Sequence, residues 1–248
     1  MSHSNQNHYS LRFEWGLQGI EALADAADVI VVVDTLSFCT AVDVAVSRAA
    51  IVYPYRFRDD TASAFAHKKG ASLATHRTKV DLINPYSLSP ASFVNVTAGE
   101  RIVLPSPNGA TLLVAAAERC SHVIAGCLRN ASAVASAAAN LGRSIAVIAA
   151  GEQWQGDHGG LRSAIEDLLG AGAILSAITG RTLSPEAEIA VAAFDAVRDD
   201  LPRVLHDCTS GRELIEMGFP DDIAIAAELN VSKTVPVLRD GALVGGVG

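Results

Sequence analysis

Residues 29–41 read VIVVVDTLSFCTA, and the way this run ends decides the fold. Five β-branched residues in succession, with no polar alternation, predict a strand covered on both faces at the centre of a parallel sheet. Asp34 closes the run, and AVDVAVSRAA (41–50) then takes a helical pattern. Asp34 therefore falls at the carboxyl end of a central strand. In open α/β sheets, loops and helix N-termini converge on ligands there. It is the first candidate functional residue.

The chain has 248 residues, a length that fits one large α/β domain or two small ones. No linker rich in Pro, Gly or Ser and no repeat divides it, so one domain over 11–248 is expected, after a disordered tail over 1–10. Half the residues are apolar but only 5% are aromatic, so the core must be built from Ala, Val, Leu and Ile. A net charge of −8 without a basic block argues against nucleic acid or an anionic membrane as partner. No apolar run approaches the ~20 residues of a membrane span. MSHSNQNHYS lacks the order of a signal peptide, so a soluble, cytoplasmic protein is expected. An apolar, Ala-rich surface is compatible with a homo-oligomer. Cys39, Cys120, Cys127 and Cys208 show no CxxC spacing and read as small buried residues of a reducing compartment.

Outward from the central strand, Leu11–Trp15 and Ile51–Pro54 read as strands, and 17–27, 40–49 and Asp60–Lys69 as helices. Periodicity weakens over 70–100, an excursion that is either an ordinary surface loop or an insertion over the active edge. Three strand–loop–helix units follow, with strands at 101–104, 122–125 and 144–150. Such units predict right-handed crossovers and a three-layer α/β/α fold with a largely parallel sheet. Helices are expected over 185–198, 202–217 and 220–227, and Asp240-Gly241 signals a type I′ hairpin.

No GxxxxGK[ST], no GxGxxG after a strand and no GxSxG elbow occurs. What remains is a set of junctions whose short loops open helices, leaving backbone N–H groups for a phosphate-like anion. In PSPNGAT, Ser106, Asn108 and Gly109 are candidates, although Asn108 equally fits a plain N-cap. In GCLRNA, Asn130 could cap and Arg129 could grip phosphate or carboxylate, or simply be solvated. The third junction carries Glu152, Asp157 and His158, with Glu166-Asp167 in the next helix. Adjacent helical residues diverge by about 100°, so one of that pair would face a site, or both would lie on a solvated face. Asp34 and Glu166 or Asp167 are hard oxygen ligands suited to Mg²⁺. His76 and Arg77 lie in the excursion, His76 reading as exposed and His122 as structural. Cys127 sits at a helix start that favours a thiolate, with no base beside it.

These motifs resemble a known family. VVVDTLSFCTAV (31–42) is similar to the VVVDVLRATTT signature of the 2-phosphosulfolactate phosphatase (ComB-like) family of coenzyme M biosynthesis. SPNGAT resembles its TTNGT, GCLRNASAVA its GSLLNAxAVA, and IAAG…SAIEDLLGAGAI its CAG…LEDxxAAG. SGRELIEMGFPDDI…LNVSKTVPVL resembles its closing segment. The resemblance implies a Mg²⁺-dependent acid phosphatase acting on a small phosphorylated sulfonate carboxylate. Asp34 and Glu166 would hold the metal, with Asp167 as the alternative; Asn108, Asn130 and backbone amides would clamp the phosphate. Departures accompany it. Ser37 and Phe38 stand where the family has arginine and a small residue, Thr75-His76-Arg77 replaces GER, and Ser87–Pro90 replaces GNSP. Arg129, where the family has leucine, is expected to restore the missing charge. The alternatives are a phosphatase for a different phospho-acid and a non-catalytic relative that binds a small anion.

Overall fold

The computed structural model describes residues 5–154 and 160–246. Strand β2 (Val29–Val33) sets the layers. Val29, Val31 and Val33 pack into one core and Ile30 and Val32 into the other, and all five are inaccessible to solvent. On its two sides β2 pairs in parallel with β7 (Ile145–Ala149) and β6 (Val123–Gly126), and β1 (Leu11–Trp15) adds in parallel beyond β7. A second parallel block is formed by β3 (Ile51–Tyr55), β5 (Arg101–Pro105) and β4 (Ser72–Leu73).

Between the blocks lies an antiparallel hairpin, β10 (Pro236–Arg239) against β6 and β11 (Ala242–Gly245) against β3. Its two-residue turn has Asp240 and Gly241 at φ +51° and +77°, the type I′ geometry predicted from Asp-Gly. Among the described residues the sheet has nine strands, mostly parallel.

One face carries α5 (Ala131–Leu141), α6 (Ile165–Ser176), α7 (Pro185–Val197), α8 (Leu201–Asp207), α9 (Thr209–Glu216) and α10 (Pro220–Ala226). The other carries α1 (Gly16–Leu23), α2 (Phe38–Val46) and α4 (Gly109–Ala117). The fold is thus the expected three-layer α/β/α. Small residues set the helix spacing: a Cβ on Gly172 of α6 would lie 2.1 Å from the Ala190 carbonyl of α7. None of the helices among the described residues is long and apolar enough to cross a membrane.

Three local expectations change. The helix expected over 202–217 is broken at Cys208, whose extended backbone starts α9 and whose sulfur accepts from the Gly211 N–H. The excursion carries order. After α3 (Asp60–Lys69), β4 joins the sheet edge, 3₁₀ turns form at 77–79 and 90–93, and buried Phe93 stacks on Tyr86. The expected tail is anchored from Asn5 onward. Buried Gln6 exchanges hydrogen bonds with the Phe13 backbone, and the fully buried Arg12 donates to the carbonyls of Asn5 and Ala26.

Candidate active site

The carboxyl edge around Asp34 is assembled from the loops after β2, β5 and β7 and the first turn of α6. Asp34 Oδ1 accepts from the Phe38 N–H at 3.0 Å and Oδ2 from the Gly109 N–H at 2.8 Å. One carboxylate therefore joins the N-termini of α2 and α4, where negative charge is favoured. This bond also explains why α2 begins at Phe38, ahead of the expected start. A Cβ at position 109 would stand 2.6 Å from Asp34 Oδ2, so glycine is required by close approach. Burial raises the Asp34 pKa to about 6; the two N–H donors oppose this, Glu166 adds to it, and Arg77 opposes it.

Asp167 staples two loops together. Its Oδ1 accepts from the Thr35 N–H at 2.6 Å and its Oδ2 from the Gly151 N–H at 2.9 Å. Burial, then Asp34 and Glu166, holds its pKa well above the ordinary value. Glu166 is also buried; its carbonyl accepts from the Thr35 hydroxyl at 3.0 Å and its carboxylate from the Cys208 thiol at 3.5 Å. Neither member of the pair lies on a solvated face. Asp167 faces the loop backbones, and Glu166 lies within electrostatic reach of Asp34.

Asn108 does not cap α4 through its side chain. Its Nδ2 instead donates to Glu152 Oε2 at 2.9 Å. Glu152 opens a small hairpin, β8 (Glu152–Gln153) with β9 (Leu161–Arg162). Burial, followed by the charge of Asp34, raises its pKa to about 7. Asn108 and Glu152 line a cavity of about 370 Å³ together with Gln18, Thr111 and Leu161. Asp157 and His158 lie outside the described residues.

Arg77 reaches the same loop from the excursion. Its Nη2 donates to Ser37 Oγ at 2.7 Å and its Nε to Asp222 Oδ2 at 3.2 Å. Ser106 is buried at the start of the β5–α4 junction, its N–H on the Tyr55 carbonyl at 2.9 Å. The structure thus gathers Asp34, Asn108, Gly109, Glu166, Asp167 and Arg77 on one edge. It adds Ser37, Ser89 and Asp222, to which the sequence reading gave no site role, and joins Glu152 of the third junction to Asn108. Asp222 falls within the closing segment SGRELIEMGFPDDI, where by itself it reads as a helix-starting acid.

The GCLRNA junction goes elsewhere. Arg129 Nε donates to Asp43 Oδ2 at 2.9 Å, and its Nη1 to the Ile225 carbonyl at 3.2 Å and to Glu228. Its charge is committed to α2 and the segment after α10, and the cation whose field reaches Asp34 is Arg77. Asn130 does not cap α5; its Oδ1 accepts from the Cys127 N–H at 2.9 Å, and its buried Nδ2 has no partner among the described residues. The thiolate reading of Cys127 fails, because burial and then Asp43 push its pKa up to about 12. His76 is exposed, with Nδ1 at 2.9 Å from the Thr78 hydroxyl, and His122 is partly buried at the amino end of β6.

Whether this edge suits a divalent cation depends on its donors. Asp34, Glu152, Glu166 and Asp167 feel one another's charge, while Arg77 is already paired with the buried Asp222. Among the described residues no three His, Cys, Asp or Glu side chains converge to hold an ion by themselves. The set fits Mg²⁺, which typically takes one or two carboxylates and completes its shell with water and substrate phosphate.

An α/β/α scaffold with helix N-termini gathered on one carboxyl edge defines a protein suited to a small anionic ligand there. A family model described as 2-phosphosulpholactate phosphatase matches residues 18–241, and the chain belongs to this family of phosphoric monoester hydrolases. It is 30% identical over 220 residues to the 2-phosphosulfolactate phosphatase of Methanothermobacter thermautotrophicus, covering 88% of this chain and 90% of the relative. It is 31% identical over 238 residues to the probable 2-phosphosulfolactate phosphatase of Carboxydothermus hydrogenoformans, covering 90% and 93%.

Proposed function

We propose that this chain hydrolyses 2-phosphosulfolactate to sulfolactate and phosphate in the presence of Mg²⁺, a cytoplasmic step of the coenzyme M type. The full-length likeness to relatives of that name supports the substrate. The observation that carries the chemistry is Asp34, fixed at 2.8 and 3.0 Å between two helix N-termini with Glu166 in its field. The four cysteines are free, which suits a reducing compartment.

Asp34 and Glu166 would hold Mg²⁺, which when bound neutralises charge on the phosphoryl oxygens. The remaining roles belong to the chain. First-turn N–H groups of α4 beyond Gly109 donate to the phosphate. Asp167 fixes the loops after β2 and β7 relative to each other. Asn108 orients Glu152, which keeps its proton up to about pH 7 at the cavity wall and is the acid available to the departing ester oxygen. In the overall exchange an O–P bond forms from water, the ester O–P bond breaks, and the alcohol leaves protonated.

The test is direct. Purified protein with Mg²⁺ and 2-phosphosulfolactate is expected to release sulfolactate and phosphate in equal amounts. Chelator should stop release, and Asp34→Asn should lower it by about 10³-fold or more. Release from no phospho-acid at all would overturn the reading. A second substrate reading is favoured by Ser37, whose hydroxyl meets Arg77 where the resembling signature has arginine. Faster turnover of another 2-phospho-acid in a substrate panel would select it.

A further inference from the structure

We propose that Asp222 is a positioning residue that holds Arg77 over the Asp34 loop, where the guanidinium receives an acid group of the substrate other than the phosphate, its carboxylate or its sulfonate. The inference rests on the phosphatase reading above and adds how the rest of the substrate is recognised. Asp222 lies in the first turn of α10 and is 1% exposed. Its Oδ2 accepts from Arg77 Nε and its Oδ1 from the Ser89 hydroxyl. Arg77 Nη2 then bonds Ser37 Oγ at 2.7 Å and the Leu88 carbonyl at 3.4 Å, and its Cζ lies 5.8 Å from the Phe219 ring centre. Contacts 40 and 145 residues apart in sequence thus fix the plane of one guanidinium three residues beyond Asp34.

Two features make this a receptor as well as a brace. The Arg77 side chain keeps 15% of its surface exposed, and its Nη1 makes no hydrogen bond among the described residues. The two N–H groups of a fixed Nη1 can donate charge-assisted hydrogen bonds to an oxygen of a carboxylate or sulfonate. The site is also polarised. Glu166, beside Asp34, repels an additional anion, whereas Arg77 attracts it. Arg58, which lies within the field of Arg77 and has no ion pair among the described residues, adds positive charge on that flank. A substrate that carries a phosphate together with a carboxylate or sulfonate is oriented by this polarity, phosphate toward the N-terminus of α4 and acid group toward Arg77.

Calorimetric titration of the full chain with sulfolactate and, separately, inorganic phosphate tests the idea without depending on turnover. Asp222→Asn is expected to weaken sulfolactate binding about ten-fold, the equivalent of one charge-assisted hydrogen bond, and phosphate binding less than about three-fold. Ser89→Ala, a milder change, should shift sulfolactate binding about three-fold in the same direction. In turnover, Asp222→Asn should raise KM for 2-phosphosulfolactate more than it lowers kcat. The kcat/KM ratio of that substrate to phenyl phosphate should fall about ten-fold. Lactate and 2-hydroxyethanesulfonate as probes separate carboxylate from sulfonate. Equal weakening of sulfolactate and phosphate, or no sulfolactate binding by the unsubstituted protein, overturns the proposal. Binding that follows the expected pattern with no phosphate release from any ester upholds the clamp and overturns the phosphatase reading.

Discussion

Arg77 and Arg129 each send Nε to a buried aspartate, Asp222 at 3.2 Å and Asp43 at 2.9 Å, and their side chains are 15% and 13% exposed. Each also reaches a backbone carbonyl, of Leu88 and of Ile225. The difference lies in the remaining partners. Arg129 meets a second carboxylate, Glu228, and the Asp43 it serves also accepts from Ser232 at 2.6 Å, so its charge ties α2 to the C-terminal segment. Arg77 meets one carboxylate and a neutral hydroxyl, Ser37, beside Asp34. A guanidinium matched by two acids is a brace. One matched by a single acid retains attraction for a ligand.

The largest expected contrast comes from deleting each charge. Arg129→Leu leaves Asp43 buried and unpaired and should cost about 3–5 kcal/mol in urea unfolding, with substrate KM changed less than about three-fold. Arg77→Met should instead lower kcat/KM for 2-phosphosulfolactate by about 10²-fold. A KM that rises more for Arg129→Leu than for Arg77→Met would dissolve the distinction. Next in size, adding Asp43→Asn to Arg129→Leu should recover at least about 1 kcal/mol, because the buried charge goes with its partner.

A pH experiment separates the regions by their response to Mg²⁺. Asp34 rises from 3.8 to about 6 and Glu152 from 4.5 to about 7 in the native state. Native pKa values above the unfolded ones mean stability that is fully present below about pH 4 and is lost as pH rises through about 6 and 7. In chelator, Tm should therefore fall across that window, and millimolar Mg²⁺ should flatten the fall. Arg77→Met should extend the fall to higher pH, since Arg77 lowers the Asp34 pKa. Arg129→Leu should add a fall of its own from Asp43, whose pKa Arg129 lowers, that Mg²⁺ does not flatten. The smallest effect is expected from Ser37→Ala, a few-fold rise in KM from one lost hydrogen bond of about 1 kcal/mol.

Much of this arrangement was legible in the chain because it is local. The unbroken apolar run at 29–33 announces a strand buried on both faces, the acid after it marks the carboxyl edge, and Asp240-Gly241 dictates its own turn. Gly109 and Asn108 were recognisable as a helix start. What Asn108 does was not, since its side chain leaves the cap for Glu152, 44 residues away. The pair Glu166-Asp167 misled for the same reason: helical geometry assigns directions, but only packing against the loops after β2 and β7 buries both.

By itself, then, the sequence determined the layers, the edge that bears the site, and Asp34 upon it. These follow from hydrophobic periodicity and from backbone hydrogen bonds that close over a few residues. The tertiary structure alone decided which arginine lies beside Asp34. Arg77 and Arg129 are chemically identical side chains in 3₁₀ turns, and where they are held is set by carboxylates 145 and 86 residues away. Charge interactions of that range leave no periodic trace, because they depend on where the folded backbone brings Asp222 and Asp43.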